Sequence, residues 1–451
     1  MSELHVATNL NSQSLLTLLN QLPSAKSYWV AYSGGVDSHV LLHFLASISE
    51  QLGGVPLGAV HIDHQLQPES SAWSAHCQSV CEEQGLPFVS FKINVATGQG
   101  ESPEAAARDA RYQALQDWLP KAAVLLTAQH QDDQAETLLL QLLRGAGSKG
   151  LAGMPTQVEF GNGLLVRPFL ETSRETILAY AREQKLNWVE DPSNTDTRFD
   201  RNFLRHTVVP QLQKRWPSLS VTLSRAARHQ AGQAELNTAL GEIDLLRCES
   251  GSGLSVNRLL NLTRVRQRNL LRFWIRQCGL PVPADKILQR VLDESLNCQP
   301  DASPLVQWPG AEIRRYRDLL FAMSPLPSME CEQHLKWQPG QVLQLECPAG
   351  VLSSETQTGI GLHGRFLEQA LEIRFRQGGE VLQPVARGQT HALKKLLQDK
   401  GVPGWERERL PLLYADGKLV AVPDICICEG CQTEQDQPGY LPHWSRLEAY
   451  Q

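Results

Sequence analysis

The stretch "WVAYSGGVDSHVLLHFL", residues 29–45, sets two glycines between an apolar run and a segment with helical spacing. A strand that ends in Ser-Gly-Gly and turns into a helix presents free backbone N–H groups at the positive end of the helix dipole, and that combination binds phosphate. Glycines let the backbone close on oxygen atoms, and Ser33 and Ser38 add hydroxyl donors. No GxxxxGK[ST] is present, so the P-loop with its phosphate-binding lysine is excluded. Asp37 admits two readings. One is a helix-start carboxylate satisfying backbone donors. The other is a carboxylate beside phosphates, with Mg²⁺ between them to offset the repulsion.

Residues 1–215 alternate short apolar runs with helical patterns, the signature of a parallel α/β sheet. Strands are expected at "SYWVAY", "PLGAVHID", "PFVSFKINV" and "AAVLLTA", with a shorter one near "LLVRPF". Helices are expected over 36–52, 71–84, 103–118, 132–143 and 173–185. From 216 to 325 the pattern reads as all-helical. Residues 326–365, rich in Pro, Gly and Gln, read as a connector with a few strands, and 366–451 as a small C-terminal α+β domain. There, "ADG" between two apolar runs signals a hairpin.

At 451 residues the chain is long enough for several domains. Its 42% hydrophobic and 20% charged residues suit a globular protein with a substantial core. No stretch has the apolar length that crosses a membrane, and the first 30 residues lack the pattern of a secretory signal, so a cytoplasmic location and no membrane contact are expected. Ten cysteines are too sparse for a disulfide scaffold. Cys426, Cys428 and Cys431 in "CICEGC" offer three sulfurs without an obvious fourth ligand, and no residue is assigned to a metal site. The net charge of −6 argues against a uniformly basic nucleic-acid binder. Yet residues 201–234 and 250–284 contain arginines and lysines and no acid. These are either a face that meets a polyanion or solvated helix surfaces.

The residues SGGVDS in this setting resemble the pyrophosphate-binding loop of the N-type ATP pyrophosphatases. Further stretches narrow the resemblance: "HIDHQLQPES", "ESPEAAARDARY", "TAQHQDDQAETLLLQLLRG", "WVEDPSNTDTRFDRNFLR" and the C-terminal "LKKLLQDKGVPGWERERLPLLYADGKLVAVP". Together, and in this order, they resemble the tRNA(Ile)-lysidine synthetases over essentially the whole chain. The resemblance implies an N-terminal parallel-sheet PP-loop domain of the adenine-nucleotide α-hydrolase type. It also implies a ligase that adenylates O2 of the wobble cytidine in a CAU-anticodon tRNA(Ile), whose C2 is then attacked by the ε-amine of free L-lysine. The products are lysidine, AMP and diphosphate, and the codon read changes from AUG to AUA. ATP, Mg²⁺, lysine and tRNA(Ile) are the expected cofactors and partners. The oligomeric state stays open, a homodimer included.

On this resemblance Ser33, Gly34, Gly35, Val36, Asp37 and Ser38 hold the nucleotide, with His61, Asp63 and His64 at the end of the second strand. Asp37, Asp133, Glu136, Arg108 and Arg111 are the expected catalytic residues. Asp132 and Glu136 share a helix face at i and i+4. Asp132, Asp133 and Glu136 are expected at the substrate site, with Asp133 and Glu136 holding lysine, and Arg201, Asn202 and Arg205 are expected to meet tRNA or phosphate. The bland reading of each acid is a charge that complements a helix dipole, and of each arginine a surface ion pair. Gln65 and Gln67 stand where relatives often carry glycine and arginine, and Gln129 where a first histidine is common. A tRNA thiolase is the nearest rival, but Cys77 and Cys81 have the wrong spacing for its thiol pair. A nucleotide-binding regulator without chemistry leaves the acidic helix and the basic stretches without a purpose.

Overall fold

The computed structural model describes residues 10, 12–63, 70–93, 103–299, 302–327, 335–346, 349–385 and 389–446. They fall in two compact units, 1–236 and 237–451.

In the first unit α1 (Ser12–Asn20) leads to β1 (Ser27–Ala31), α2 (Val36–Ser47), β2 (Leu57–Asp63), α3 (Ser70–Glu83) and β3 (Phe88–Lys92). There follow α4 (Pro103–Trp118), β4 (Ala123–Leu126), α5 (Gln131–Leu143), α6 (Ser148–Leu151), β5 (Gln157–Phe160), β6 (Gly163–Val166) and α7 (Arg174–Glu183). The sheet order is β3-β2-β1-β4-β6-β5. All neighbours run parallel except β5, antiparallel on the edge. β4 is buried at every residue, which is why it reads as a continuous apolar run, and β2 is buried at all but one. Val40, Leu41 and Leu45 of α2 have no exposed surface and share a core with Val30 and Leu126. Burying each such side chain contributes about 1.5–3 kcal/mol. Beside β1 the chain changes direction, with β2 and β3 to one side and β4 and β6 to the other. In open α/β sheets ligands bind outside the carboxyl ends of the strands at such a point.

Sequence patterning misses α1 and β5. In β5 only Phe160 is buried, so no alternation marks the strand. After α7 come α8 (Asp200–Phe203), a π-helical turn (Leu204–Val208), α9 (Val209–Arg215) and α10 (Leu219–Cys248).

The second unit contains α11 (Val256–Leu260), α12 (Arg264–Gln277) and α13 (Asp285–Arg290). It also contains β7 (Glu249–Ser250), β8 (Gly253–Ser255), β9 (Leu305–Trp308), β10 (Ala311–Tyr316) and β11 (Leu319–Met323), a sheet of order β7-β8-β11-β10-β9. The segment 216–325, expected to be all-helical, therefore carries a sheet beside its helices. β7 and β8 are too short to show alternation, and β10 buries Glu312 and Arg315, which hides its inward face. Gln307 and Arg314 bond the Glu312 carboxylate, and Arg315 donates to the carbonyls of Ser295 and Leu296.

Four arginines of the acid-free run 250–284 pair with acids that flank it in sequence. Arg264 pairs with Asp293, Arg266 with buried Asp244, and Arg268 and Arg272 with Asp285. Strands from the stretch read as a connector belong to the C-terminal body: 349–358 pairs along its length with 438–446. A Cβ on Gly350 would run into the Trp444 ring, so this strand glycine has a packing reason. The hairpin at "ADG" forms as its residues suggest, with Asp416 and Gly417 at φ 47° and 74°. Trp405 packs edge-on against Tyr316 and Phe321, with Arg314 over its face, and joins β10 and β11 to the C-terminal body. Among the described residues no helix is long and apolar enough to cross a membrane.

Candidate active site

The carboxyl ends of β1 and β4 open on a cavity of about 330 Å³. Ser33 lines it from the loop after β1, Asp37 and Ser38 from the first turn of α2, and Arg108, Arg111 and Tyr112 from α4. Thr127 and Gln129 follow β4, Asp133 begins α5, and Asn194, Arg201, Asn202 and Arg205 close the far side.

Gly34 has φ 83°, and a Cβ there would lie 3.0 Å from Sγ of Cys77, so conformation and space both demand glycine. Gly35 is the N-cap of α2 and no side chain caps that helix, which leaves its first N–H groups for a ligand. Ser38 Oγ donates to the Gly35 carbonyl at 3.0 Å and accepts from the Ser33 N–H at 3.2 Å, which fixes the loop. Val36 packs into the core. Asp37 is therefore not a cap. Its Oδ1 is buried without a hydrogen-bond partner. Burial raises its carboxyl above the usual range; Asp133 adds to the rise, while His130, Arg174 and Arg205 oppose it.

His130, 1% exposed, is the N-cap of α5. Its Nδ1 accepts from the Asp133 N–H at 3.4 Å, and its own N–H donates to Asp133 Oδ2 at 3.1 Å, a reciprocal capping box. With Nδ1 accepting, a neutral ring carries its hydrogen on Nε2. That atom is 3.4 Å from Asp133 Oδ2 and 3.8 Å from Asp37 Oδ2. Sequence reasoning passed over His130, although a capping residue three positions ahead of an acid at a helix start was a legible signal.

The three acids of α5 have different surroundings. Asp132 turns away from the cavity, accepting from the Arg174 N–H at 3.0 Å and Ser220 Oγ at 2.6 Å. Asp133 lines the cavity. Burial works against its charge, but His130, Arg201 and Arg205 outweigh it and hold the carboxyl below its usual range. Glu136 is 2% exposed, behind the cavity wall, with Arg201 and Arg205 on its oxygens. Burial opposes the charge of Arg205, yet its bonds to Glu136 and proximity to Asp133 raise its pKa.

Arg108 lies over the Tyr112 ring, and Arg111 is depressed from its usual pKa by burial. Gln129 donates to Tyr112 Oη at 3.3 Å. Asn202 donates to the Asp196 carbonyl at 3.0 Å. His61 and Asp63 are buried and do not line the cavity. His61 donates from Nδ1 to the Tyr32 carbonyl at 2.8 Å, and burial lowers its pKa. His64, Gln65 and Gln67 lie outside the described residues. Among the described residues no three His, Cys, Asp or Glu side chains group to hold a metal. Burial pushes the Cys428 thiol up to about 12.

A glycine turn into an uncapped helix at a sheet switch point, with one aspartate oxygen left unpartnered and arginines lining the same cavity, marks a protein of the nucleotide-using PP-loop class. Residues 7–212 match the PP-loop domain family. Residues 254–321 match the TilS substrate binding domain and 371–444 the TilS substrate C-terminal domain. The tRNA(Ile)-lysidine synthase of Coxiella burnetii is 41% identical over 95% of each chain. That of Methylococcus capsulatus is 40% identical over 89% of this chain and 92% of its own. That of Pectobacterium atrosepticum is 39% identical over 97% and 99%. The chain belongs to the tRNA(Ile)-lysidine synthase family.

Proposed function

We propose that the chain joins lysine to C2 of the wobble cytidine of CAU-anticodon tRNA(Ile), using ATP by way of an adenylated tRNA. In the first step cytidine O2 attacks the α-phosphorus and the bond to the β-phosphate bridging oxygen breaks, releasing diphosphate. In the second the lysine ε-nitrogen attacks C2 and the C2–O2 bond breaks, releasing AMP. The observation that carries this reading is the Asp37 carboxylate, with a buried, unpartnered oxygen beside the open N-terminus of α2.

The N–H groups at the start of α2, with Ser33 and Ser38, grip the leaving diphosphate, and Arg201 and Arg205 face it across the cavity. The free oxygen on Asp37 suits Mg²⁺, which takes one or two carboxylates together with phosphate oxygens and water. When bound, the ion neutralises charge that develops on the phosphates. Asp133 accepts a proton from the ε-ammonium before attack, and Asp133 with Glu136 selects the long cationic side chain. Arg108 or Arg111 meets the lysine carboxylate. Catalysis belongs to residues 1–215, while 216–325 and 366–451 grip tRNA. The reaction takes place in the cytoplasm.

Asp37→Asn tests this reading, because no capping bond is lost with it. The variant is expected to fold normally while tRNA-dependent diphosphate release falls by orders of magnitude, since metal-assisted charge neutralisation is worth several kcal/mol of barrier. Near-normal release by Asp37→Asn returns the residue to a passive helix-start charge.

A further inference from the structure

Arg201 and Arg205 already occupy the acids proposed to hold lysine, so this inference rests on the lysine-site reading above. Arg205 Nε is 2.7 Å from Glu136 Oε1, and its Nη2 is 2.9 Å from Oε2 and 2.7 Å from Asp133 Oδ1. Arg201 Nε adds a bond to Glu136 Oε2 at 2.9 Å. Both Glu136 oxygens are thus taken, and its side chain is only 3% exposed. A lysine ammonium arriving at this site meets two carboxylates already balanced by two guanidinium groups. Three cations against two anions, one of them buried, is an unfavourable arrangement, because a buried charge left without a partner costs several kcal/mol.

We propose that Arg205, assisted by Arg201, fills the cation subsite of the resting enzyme and yields it to lysine only when nucleotide phosphates draw the guanidinium away. Three observations support the exchange. Arg201 and Arg205 line the same cavity as Ser33, Asp37 and Ser38, and so does Asp133. Each arginine engages Nε and Nη2 with acids, and Nη1 of each has no partner among the described residues. A planar guanidinium is the side chain best matched to either a carboxylate or a phosphate. Arg205 also sits within the π-helical turn Leu204–Val208, an irregularity of the kind found at functional sites. Charge then orders the events. Nucleotide brings the anion that attracts the arginines, and the vacated acids accept the ammonium. Lysine and nucleotide become positively coupled, and by reciprocity each raises the affinity for the other by the same factor.

Calorimetric titration of lysine into the full chain tests this directly, with and without Mg²⁺ and an ATP analogue whose α and β phosphates are joined by methylene. The proposal requires at least a tenfold lower Kd for lysine when the analogue is present. Arg205→Gln should bind lysine tightly without nucleotide and lose the coupling, and Arg205→Lys, which keeps the charge but cannot bridge both acids, should show intermediate coupling. Equal lysine affinity with and without the analogue in the unaltered chain overturns the exchange and leaves the lysine site standing. No lysine binding in any state, Arg205→Gln with analogue included, overturns both.

Discussion

His130 Nε2 lies 3.8 Å from Asp37 Oδ2, so a buried ring at the start of α5 reaches the first turn of α2. The same nitrogen is 3.4 Å from Asp133 Oδ2. The Nε2 hydrogen therefore stands between two carboxylates that would otherwise repel across the floor of the cavity. Asparagine is a good N-cap and retains the bond from the Asp133 N–H, but it does not reach Asp37. His130→Asn should keep its thermal stability close to that of the unaltered chain while losing at least tenfold in kcat for tRNA adenylation. His130→Ala should also lose about 0.5–2 kcal/mol of stability with the cap. Equal kcat for His130→Asn and the unaltered chain, measured by diphosphate release, confines the histidine to capping.

Gly34 carries a second prediction. An alanine at φ 83°, with its Cβ 3.0 Å from Cys77 Sγ, meets backbone strain and a crowded neighbour together. Left-handed backbone costs an ordinary residue about 1–2 kcal/mol. Gly34→Ala should lower stability in urea by at least that amount and weaken ATP binding. Adding Cys77→Ala relieves the crowding and leaves the strain, so recovery in the double variant should be partial. Full recovery would assign the whole effect to packing, and no effect in Gly34→Ala would remove the glycine from the argument.

The pH dependence of stability has an identifiable source behind the loop. His39 is 4% exposed, with Nδ1 3.2 Å from Tyr32 Oη and the rings of His76 and His43 nearby. Burial, then His76, then His43, lower its pKa from 6.5 to about 4. The unfolded chain protonates near 6.5 and the native one does not, so this contribution to stability is intact above that pH and drains away as pH falls towards 4. His39→Gln keeps a partner for Tyr32 and removes the titration. Between pH 7 and pH 4 the unaltered chain should lose on the order of 2–3 kcal/mol more than His39→Gln, read from urea midpoints. Parallel curves would place the acid sensitivity elsewhere.

The parts of this molecule that sequence alone disclosed are those with local causes. Buried parallel strands leave apolar runs such as Ala123–Leu126, a glycine turn into α2 leaves Ser33–Ser38, and Asp416-Gly417 carries its own turn geometry. What escaped depends on distant partners. Nothing near Glu136 indicates that Arg201 and Arg205 close on it from far along the chain. The arginines of α12 look like an unpaired basic face until Asp244, Asp285 and Asp293 fold against them. The sheet β7–β11 hides for a related reason, since burying Glu312 and Arg315 puts polar residues where a strand pattern expects apolar ones.

The central claim is that this chain transfers lysine to a cytidine through ATP-dependent activation. Incubation of the protein with Mg²⁺, ATP, isotopically labelled lysine and unmodified CAU-anticodon tRNA(Ile), followed by nuclease digestion and mass spectrometry, measures it most directly. The expected result is one labelled lysidine per tRNA at the wobble position, with AMP and diphosphate each formed in equal amount, and no label without ATP. ATP consumption with the wobble cytidine unchanged, or label attached at any other nucleotide, would contradict the account.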